Sequence, residues 1–164
     1  MSDTAGRPYR VAVIGGGVAT EEDLALAHDI GSELARAGAV VVCGGLGGVM
    51  EAAAAGARAE GGLTVGILPG SDAGDANAHV VLPLPTGMGE ARNTLVVRAA
   101  EAIVAVGGAW GTLSEIALAR KVGIHVLTVG RPPADGLGLP SASSAPEAAS
   151  WALETASRCR TNTV

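Results

Sequence analysis

Short apolar runs rich in β-branched residues recur along this chain, and the first, second and fifth empty into glycine-rich turns. Tyr9 to Ile14 leads into Gly15-Gly16-Gly17, Ala39 to Cys43 into Gly44-Gly-Leu-Gly-Gly48, and Ala102 to Val106 into Gly107-Gly-Ala-Trp-Gly111. None of these runs alternates apolar with polar residues. They therefore suit strands covered on both faces, not strands with one face in water.

The stretches between the runs have helical spacing. Thr20-Glu-Glu-Asp23 is a capping-box-like start with acids in the first turn, followed by Leu24, Ala27, Ile30 and Leu34, and Gly38 stops the pattern. Helices are also predicted from about Val49 to Glu60, Gly87 to Ala99, Thr112 to Val122, and from Ser144 onward. Leu63 to Leu68, His79 to Leu84 and Ile124 to Val129 complete six expected strands. Polar residues 71–78, including Asp72, Asp75 and Asn77, form a loop placed to cover a ligand, and Gly130 to Ala142 reads as a second loop. Strands alternating with helices in this way predict an α/β fold: a single-domain, Rossmann-like, doubly wound parallel sheet with helices on both faces, spanning 1–164. Residues 1–8 read as disordered.

Composition narrows the class further. The chain is 48% hydrophobic but 2% aromatic, with no Phe, so Ala, Val, Leu and Ile must build the core while 25 glycines allow close contact between layers. That excludes an aromatic-rich β-sandwich. A net charge of −5 without a Lys/Arg cluster argues against nucleic acid as a partner. No apolar run approaches the roughly 18 residues of a membrane span. Cys43 and Cys159 lack metal-type spacing, and His28, His79 and His125 are scattered, so no metal site or disulfide framework is expected. These features fit a soluble cytoplasmic protein.

In such sheets ligands bind where strands end and helices begin, and all three glycine turns fall at that edge. The turn at 107–111 is the most informative. Its glycines let a ligand approach the backbone, and the following helix aims unpaired N–H groups and its positive dipole end at an anion such as phosphate. Thr112-Leu-Ser-Glu115 also reads as a capping box, with Thr112 capping the helix and Glu115 reaching back. The usual dinucleotide pattern fails, because Gly15-Gly-Gly-Val-Ala-Thr lacks the third glycine and Cys43-Gly44 stands where a ribose-binding acid belongs. A P-loop ATPase is a weaker reading still, since no Gly-Lys-Ser/Thr follows any glycine turn.

Three blocks in order, Gly44-Gly-Leu-Gly-Gly-Val-Met50, Thr86-Gly-Met-Gly-Glu-Ala-Arg-Asn93 and Gly107-Gly-Ala-Trp-Gly-Thr-Leu-Ser-Glu115, resemble those of the Lonely Guy (LOG) superfamily, once mislabelled lysine decarboxylases. The wording is closest to the branch of molybdenum cofactor carrier proteins. The resemblance spans residues 10–129. Enzymatic members release a base from a nucleoside 5′-monophosphate through a Pro-Gly-Gly-x-Gly-Thr-x-x-Glu signature and an arginine on the preceding helix. Here Gly108, Gly111, Thr112 and Glu115 match that signature, and Arg92 matches the arginine, with Arg98 a rival. Gly107 replaces the Pro, Ala109 replaces the second Gly, and the Arg92 block is one residue longer than in the enzymes.

The resemblance implies catalytic roles for Glu115 and Arg92. It implies phosphate or ligand binding by Gly44, Gly45, Gly47, Gly107, Gly108, Gly111 and Thr112, and stacking or a subunit contact by Trp110. Two functions follow. One is a phosphoribohydrolase that cleaves a nucleoside monophosphate to free base and ribose 5-phosphate, with Glu115 stabilising the oxocarbenium-like state and no cofactor. The alternative is a non-catalytic carrier for molybdenum cofactor or another phosphate-bearing ligand such as molybdopterin. Retention of Arg92 and Glu115 favours the hydrolase. A homodimer or homotetramer is implied by the resemblance and by the few charges on predicted helices 49–60 and 88–99.

Overall fold

The computed structural model describes residues 6–161; positions 1–5 of the stretch expected to be disordered lie outside the described residues. In chain order the elements are β1 (Arg10–Gly15), α1 (Glu21–Arg36), β2 (Val40–Cys43), α2 (Val49–Ala59), β3 (Thr64–Leu68), β4 (Leu82–Pro85), α3 (Asn93–Ala99), β5 (Ala102–Val106), α4 (Trp110–Val122), β6 (Val126–Val129), β7 (Ser141–Ala142) and α5 (Ala145–Thr161). Seven parallel strands form one sheet in the order β4-β3-β2-β1-β5-β6-β7. Strand β1 pairs with β2 through Val11↔Val41 and with β5 through Val13↔Val104.

Each face of the sheet is covered by its own set of helices. On one face, Ala27, Ile30 and Leu34 of α1, Val49, Ala53 and Ala57 of α2, and Ala148 and Ala152 of α5 pack over Val11, Val13, Val41 and Val104. The other face buries Ala12, Ile14, Val42 and Ile103 under Val96 and Val97 of α3 and Ile116 and Ala119 of α4. Small residues set the spacing of the first layer. A Cβ on Gly31 or Gly56 would collide with the carbonyl oxygens of Ala53 and His28 respectively, so α1 and α2 meet backbone to backbone.

This is the doubly wound α/β fold that the apolar runs predict. The order of strand addition reverses between β1 and β5, which are parallel neighbours, while the helices that follow them, α1 and α4, leave to opposite faces. A crevice opens between them at the carboxyl ends of the strands, the expected place for a ligand.

Several local expectations change. A seventh strand lies inside the loop expected at 130–142, where Thr128 pairs with Ser141 and its N–H donates to the Pro140 carbonyl at 2.9 Å. The helix expected from Gly87 is α-helical only from Asn93. Residues Gly89–Arg92 form a tight 3-10 turn, preceded by Gly87 at φ 65° and opened by Gly89 at φ 56°. Strand β4 carries Pro83 and Pro85, which cannot donate to a ladder, and accordingly it occupies the sheet edge. Among the described residues no helix is long and apolar enough to cross a membrane.

Candidate functional site

The β1 and β2 turns and the start of α4 converge on a cavity of about 280 Å³, walled by Gly15, Gly16, Gly17, Gly44, Ala109, Gly111 and Thr112. The charged residues in that wall are Glu90, Arg92 and Glu115. The structure therefore brings together Arg92, Glu115, Gly44, Gly111 and Thr112. Gly45 and Gly47 stay out of the wall. Gly45 takes φ 79° and its carbonyl accepts from Asn77 N–H at 2.9 Å, while the Asn77 amide donates to Leu46 at 2.9 Å. Asn77 thus braces the second glycine turn from behind.

Arg92 closes the 3-10 turn before α3 and is only 8% exposed. One of its terminal nitrogens donates to Asn93 Oδ1, and the other reaches the Gly44 carbonyl at 3.4 Å. Its Nε is buried with no hydrogen-bond partner among the described residues. Glycine at position 44 leaves room for this guanidinium, since a Cβ there would come within 2.6 Å of Met50 Sδ and 2.8 Å of the Arg92 terminal nitrogen and would make those side chains shift. Arg98, six residues further on, is exposed on α3 and does not reach the cavity wall.

The capping box expected at Thr112-Glu115 is not formed. Helix α4 starts at Trp110 with Ala109 as its N-cap and no side-chain cap, so Thr112 and Glu115 lie inside the helix. The cause is the tight backbone just before it. Gly107 and Gly108, at φ 54° and 110°, turn the chain early, and Thr112 packs its side chain against Gly108 so closely that no Cβ would fit there. Residues three apart share a helix face. Glu115 consequently turns with Thr112 toward the cavity, 8% exposed, and makes no hydrogen bond among the described residues.

Burial pushes the Glu115 carboxyl up to about 7, the positive charge of Arg92 pulls it down only in part, and Glu90 adds to the rise. No ion pair joins Arg92 to Glu115 among the described residues. At the end of β2, burial also pushes the Cys43 thiol up to about 11, so it stays protonated and behaves as a small core residue.

A second cavity, about 580 Å³, lies across the β5–α4 turn and is lined by Gly107, Gly108, Ala109 and Trp110 together with Thr20, Asp23 and Arg131. Sequence reasoning missed Asp23 and Arg131. Asp23 was absorbed into the capping box of α1, of which only half is formed: Thr20 accepts from Asp23 N–H at 3.1 Å, and the carboxylate turns away toward Gly107 and Gly130.

An open parallel sheet with glycine turns around a crevice at its carboxyl edge defines a Rossmann-like protein, a class whose ligands bind at that edge. Residues 8–152 match the SLOG cluster4 family, and the chain belongs to that family. An uncharacterized protein of Archaeoglobus fulgidus is 44% identical over 124 residues, covering 76% of this chain and 81% of that one. Among solved structures, the molybdenum cofactor binding protein of Rippkaea orientalis superposes with a TM-score of 0.83 at 34% identity, covering 92% of this chain and 98% of its own. The molybdenum cofactor carrier protein of Chlamydomonas reinhardtii gives 0.81 at 29% identity, with 92% and 99% covered. The likeness to the LOG superfamily near its carrier branch, read from three short blocks, extends over nearly the whole chain.

Proposed function

We propose that this chain binds and carries a phosphate-bearing pterin of the molybdenum cofactor type without turning it over. The observation that carries this reading is Arg92, a buried guanidinium whose Nε has no partner, set in the wall of the cavity at the start of α4. A buried cation with an unmet donor is costly until an anion joins it. The free N–H groups of the first turn of α4 and the Thr112 hydroxyl add neutral donors to the same space. A terminal phosphate fits that donor set. The likeness to the Rippkaea and Chlamydomonas proteins supports the choice of cargo.

The hydrolase reading keeps one specific observation, that Glu115 faces the cavity and does not cap its helix. An ionised carboxylate there would stabilise positive charge on a ribose. Its weakness is also in the site. A carboxyl held at about 7 keeps its proton in a large fraction of molecules near neutral pH, and that neutral fraction does little for a cation.

Anaerobic incubation with molybdenum cofactor tests the order of the two readings. The cofactor is expected to co-elute with the protein and to remain able to reconstitute a cofactor-free molybdoenzyme, with Arg92→Gln weakening retention about ten-fold. Nucleoside monophosphates are expected to release no base. Free base together with ribose 5-phosphate would put the hydrolase first.

We also infer a homodimer or homotetramer. Val81, Leu82, Leu84 and Met88 are exposed along the β4 edge, more apolar surface than a lone sheet edge usually leaves in water. Helix α2 contributes little to it, because Ala53, Ala54, Gly56 and Ala57 are buried.

A further inference from the structure

The larger cavity shares Ala109 with the Arg92 and Glu115 cavity but has a different chemistry. Its wall sets two carboxylates, Asp23 and Asp135, against one guanidinium, Arg131. A space with that balance repels a phosphate and accepts an uncharged group. The Asp23 carboxylate lies against the two turns behind it. A Cβ on Gly107 or Gly130 would come within 2.6 or 2.9 Å of its oxygens, so it lies against bare backbone at both. It accepts no hydrogen bond and joins no ion pair among the described residues. Its neighbours Glu21 and Glu22 already supply first-turn acids to α1, so the helix dipole does not account for where Asp23 points. At the mouth of the cavity stands Trp110, 84% exposed, the first residue of α4.

We propose that this cavity is the ring compartment of the ligand site and that it selects a 2-amino-4-oxopyrimidine ring, the edge common to guanine and pterins. Asp23 accepts two parallel N–H bonds from that edge, and Trp110 stacks on the ring face. The proposal rests on the reading above that the start of α4 holds the ligand's phosphate; the ring then lies on the other side of the turn. A carboxylate offers two acceptors side by side, and this edge presents a ring N–H beside an exocyclic amine. Hypoxanthine lacks the amine, and adenine sets its amine beside a ring nitrogen with a lone pair. Each leaves one carboxylate oxygen unpaired or opposed. An indole face offers stacking to any of these rings, so Trp110 contributes affinity and Asp23 the choice.

Calorimetric titration of the full chain at pH 7 with GMP, IMP, AMP, 6-hydroxymethylpterin monophosphate and ribose 5-phosphate tests this. GMP or the pterin phosphate, or both, should bind about ten-fold or more tighter than IMP and AMP, and whichever binds more tightly names the source of the ring. Asp23→Asn should erase that preference while leaving ribose 5-phosphate binding unchanged. Trp110→Leu, at an exposed position, should weaken all ring-bearing ligands and keep the preference, which serves as the check if the Asp23 variant does not fold. Equal binding of GMP, the pterin phosphate, IMP and AMP, with ribose 5-phosphate still bound, overturns the ring compartment and spares the phosphate reading. Loss of every ligand, ribose 5-phosphate included, overturns both.

Discussion

Two arginine–glutamate encounters sit at opposite ends of the sheet, and they have been built for opposite purposes. At the amino-terminal edge, Glu101 accepts from Arg160 Nε at 2.5 Å, from a second Arg160 nitrogen at 2.8 Å and from Arg10 N–H at 2.9 Å. Arg160 also donates to the Arg7 and Pro8 carbonyls and lies 4.4 Å over the Tyr9 ring. Burial alone would raise the Glu101 carboxyl, but these hydrogen bonds and the two arginine charges bring it below its ordinary value. At the carboxyl edge, Glu115 has no such partners and is pushed up to about 7, while Arg92 keeps an unpaired Nε. The same residue types staple the chain together where their bonding is complete. Where it is left open, they line the cavity at the start of α4.

The largest effect should come from breaking the satisfied encounter. Arg160→Ala removes the nearest partner of a carboxylate that is only 11% exposed, leaving it Arg10 at 3.7 Å, and releases the segment before β1. Stability is expected to fall by about 3–5 kcal/mol, read from urea unfolding. Ligand affinity of the folded fraction should not change. A loss below about 1 kcal/mol would mean that the network is ordinary surface pairing.

The open encounter should respond in the other direction. Between pH 4.5 and about 7 folded Glu115 keeps a proton that the unfolded chain has released, so stability falls as pH rises through that window. The loss is complete above about 7 and amounts to about 3 kcal/mol at roughly 1.4 kcal/mol per pH unit. Glu115→Gln removes the ionisable group, so the variant should be more stable than the parent by up to about 3 kcal/mol at pH 8 and nearly equal to it at pH 4.5. Equal stabilities at pH 8 would mean that Glu115 is solvated or paired after all.

That contrast also explains what could be read in advance. The doubly wound sheet was legible because β1, β2 and β5 are apolar on both faces and end in glycine turns, a pattern few other folds accommodate. Gly44, Gly111, Thr112 and Glu115 could be assigned to one edge because parallel strands put every carboxyl end there, whereas Arg92 was assigned to it through the resemblance to the LOG blocks. Side-chain direction was less accessible. Thr-x-x-Glu and Thr-x-x-Asp are the same local signal, yet Glu115 points to the cavity because α4 begins two residues early, and Asp23 does so because Gly107 and Gly130 leave room for it. The first outcome depends on the backbone of Gly107 and Gly108 and the second on contacts between segments far apart in sequence, and the Thr-x-x-acid pattern encodes neither. Strand β7 was hidden for a similar reason, since its two residues pair only because β6 is already in place.

The smallest effect should sharpen the difference between the two ends by asking what ionisation of Glu115 does to an anion. Below about 7 the neutral carboxyl neither repels an anion beside Arg92 nor competes for its guanidinium, and its O–H can donate. As pH rises through 7 the carboxylate forms and opposes the incoming charge. Sulfate is the appropriate probe, because its own charge does not change in this range. Its affinity should fall about three- to ten-fold between pH 6 and pH 8, with protons taken up on binding near pH 7, both measured by calorimetry in buffers of different ionisation enthalpy. Glu115→Gln should bind sulfate with the same affinity at both pH values, whereas Glu101→Gln, if it folds, should retain the parent's pH dependence. A flat profile for the parent would place the anion beyond reach of Glu115 and move the phosphate to the far side of the β5–α4 turn.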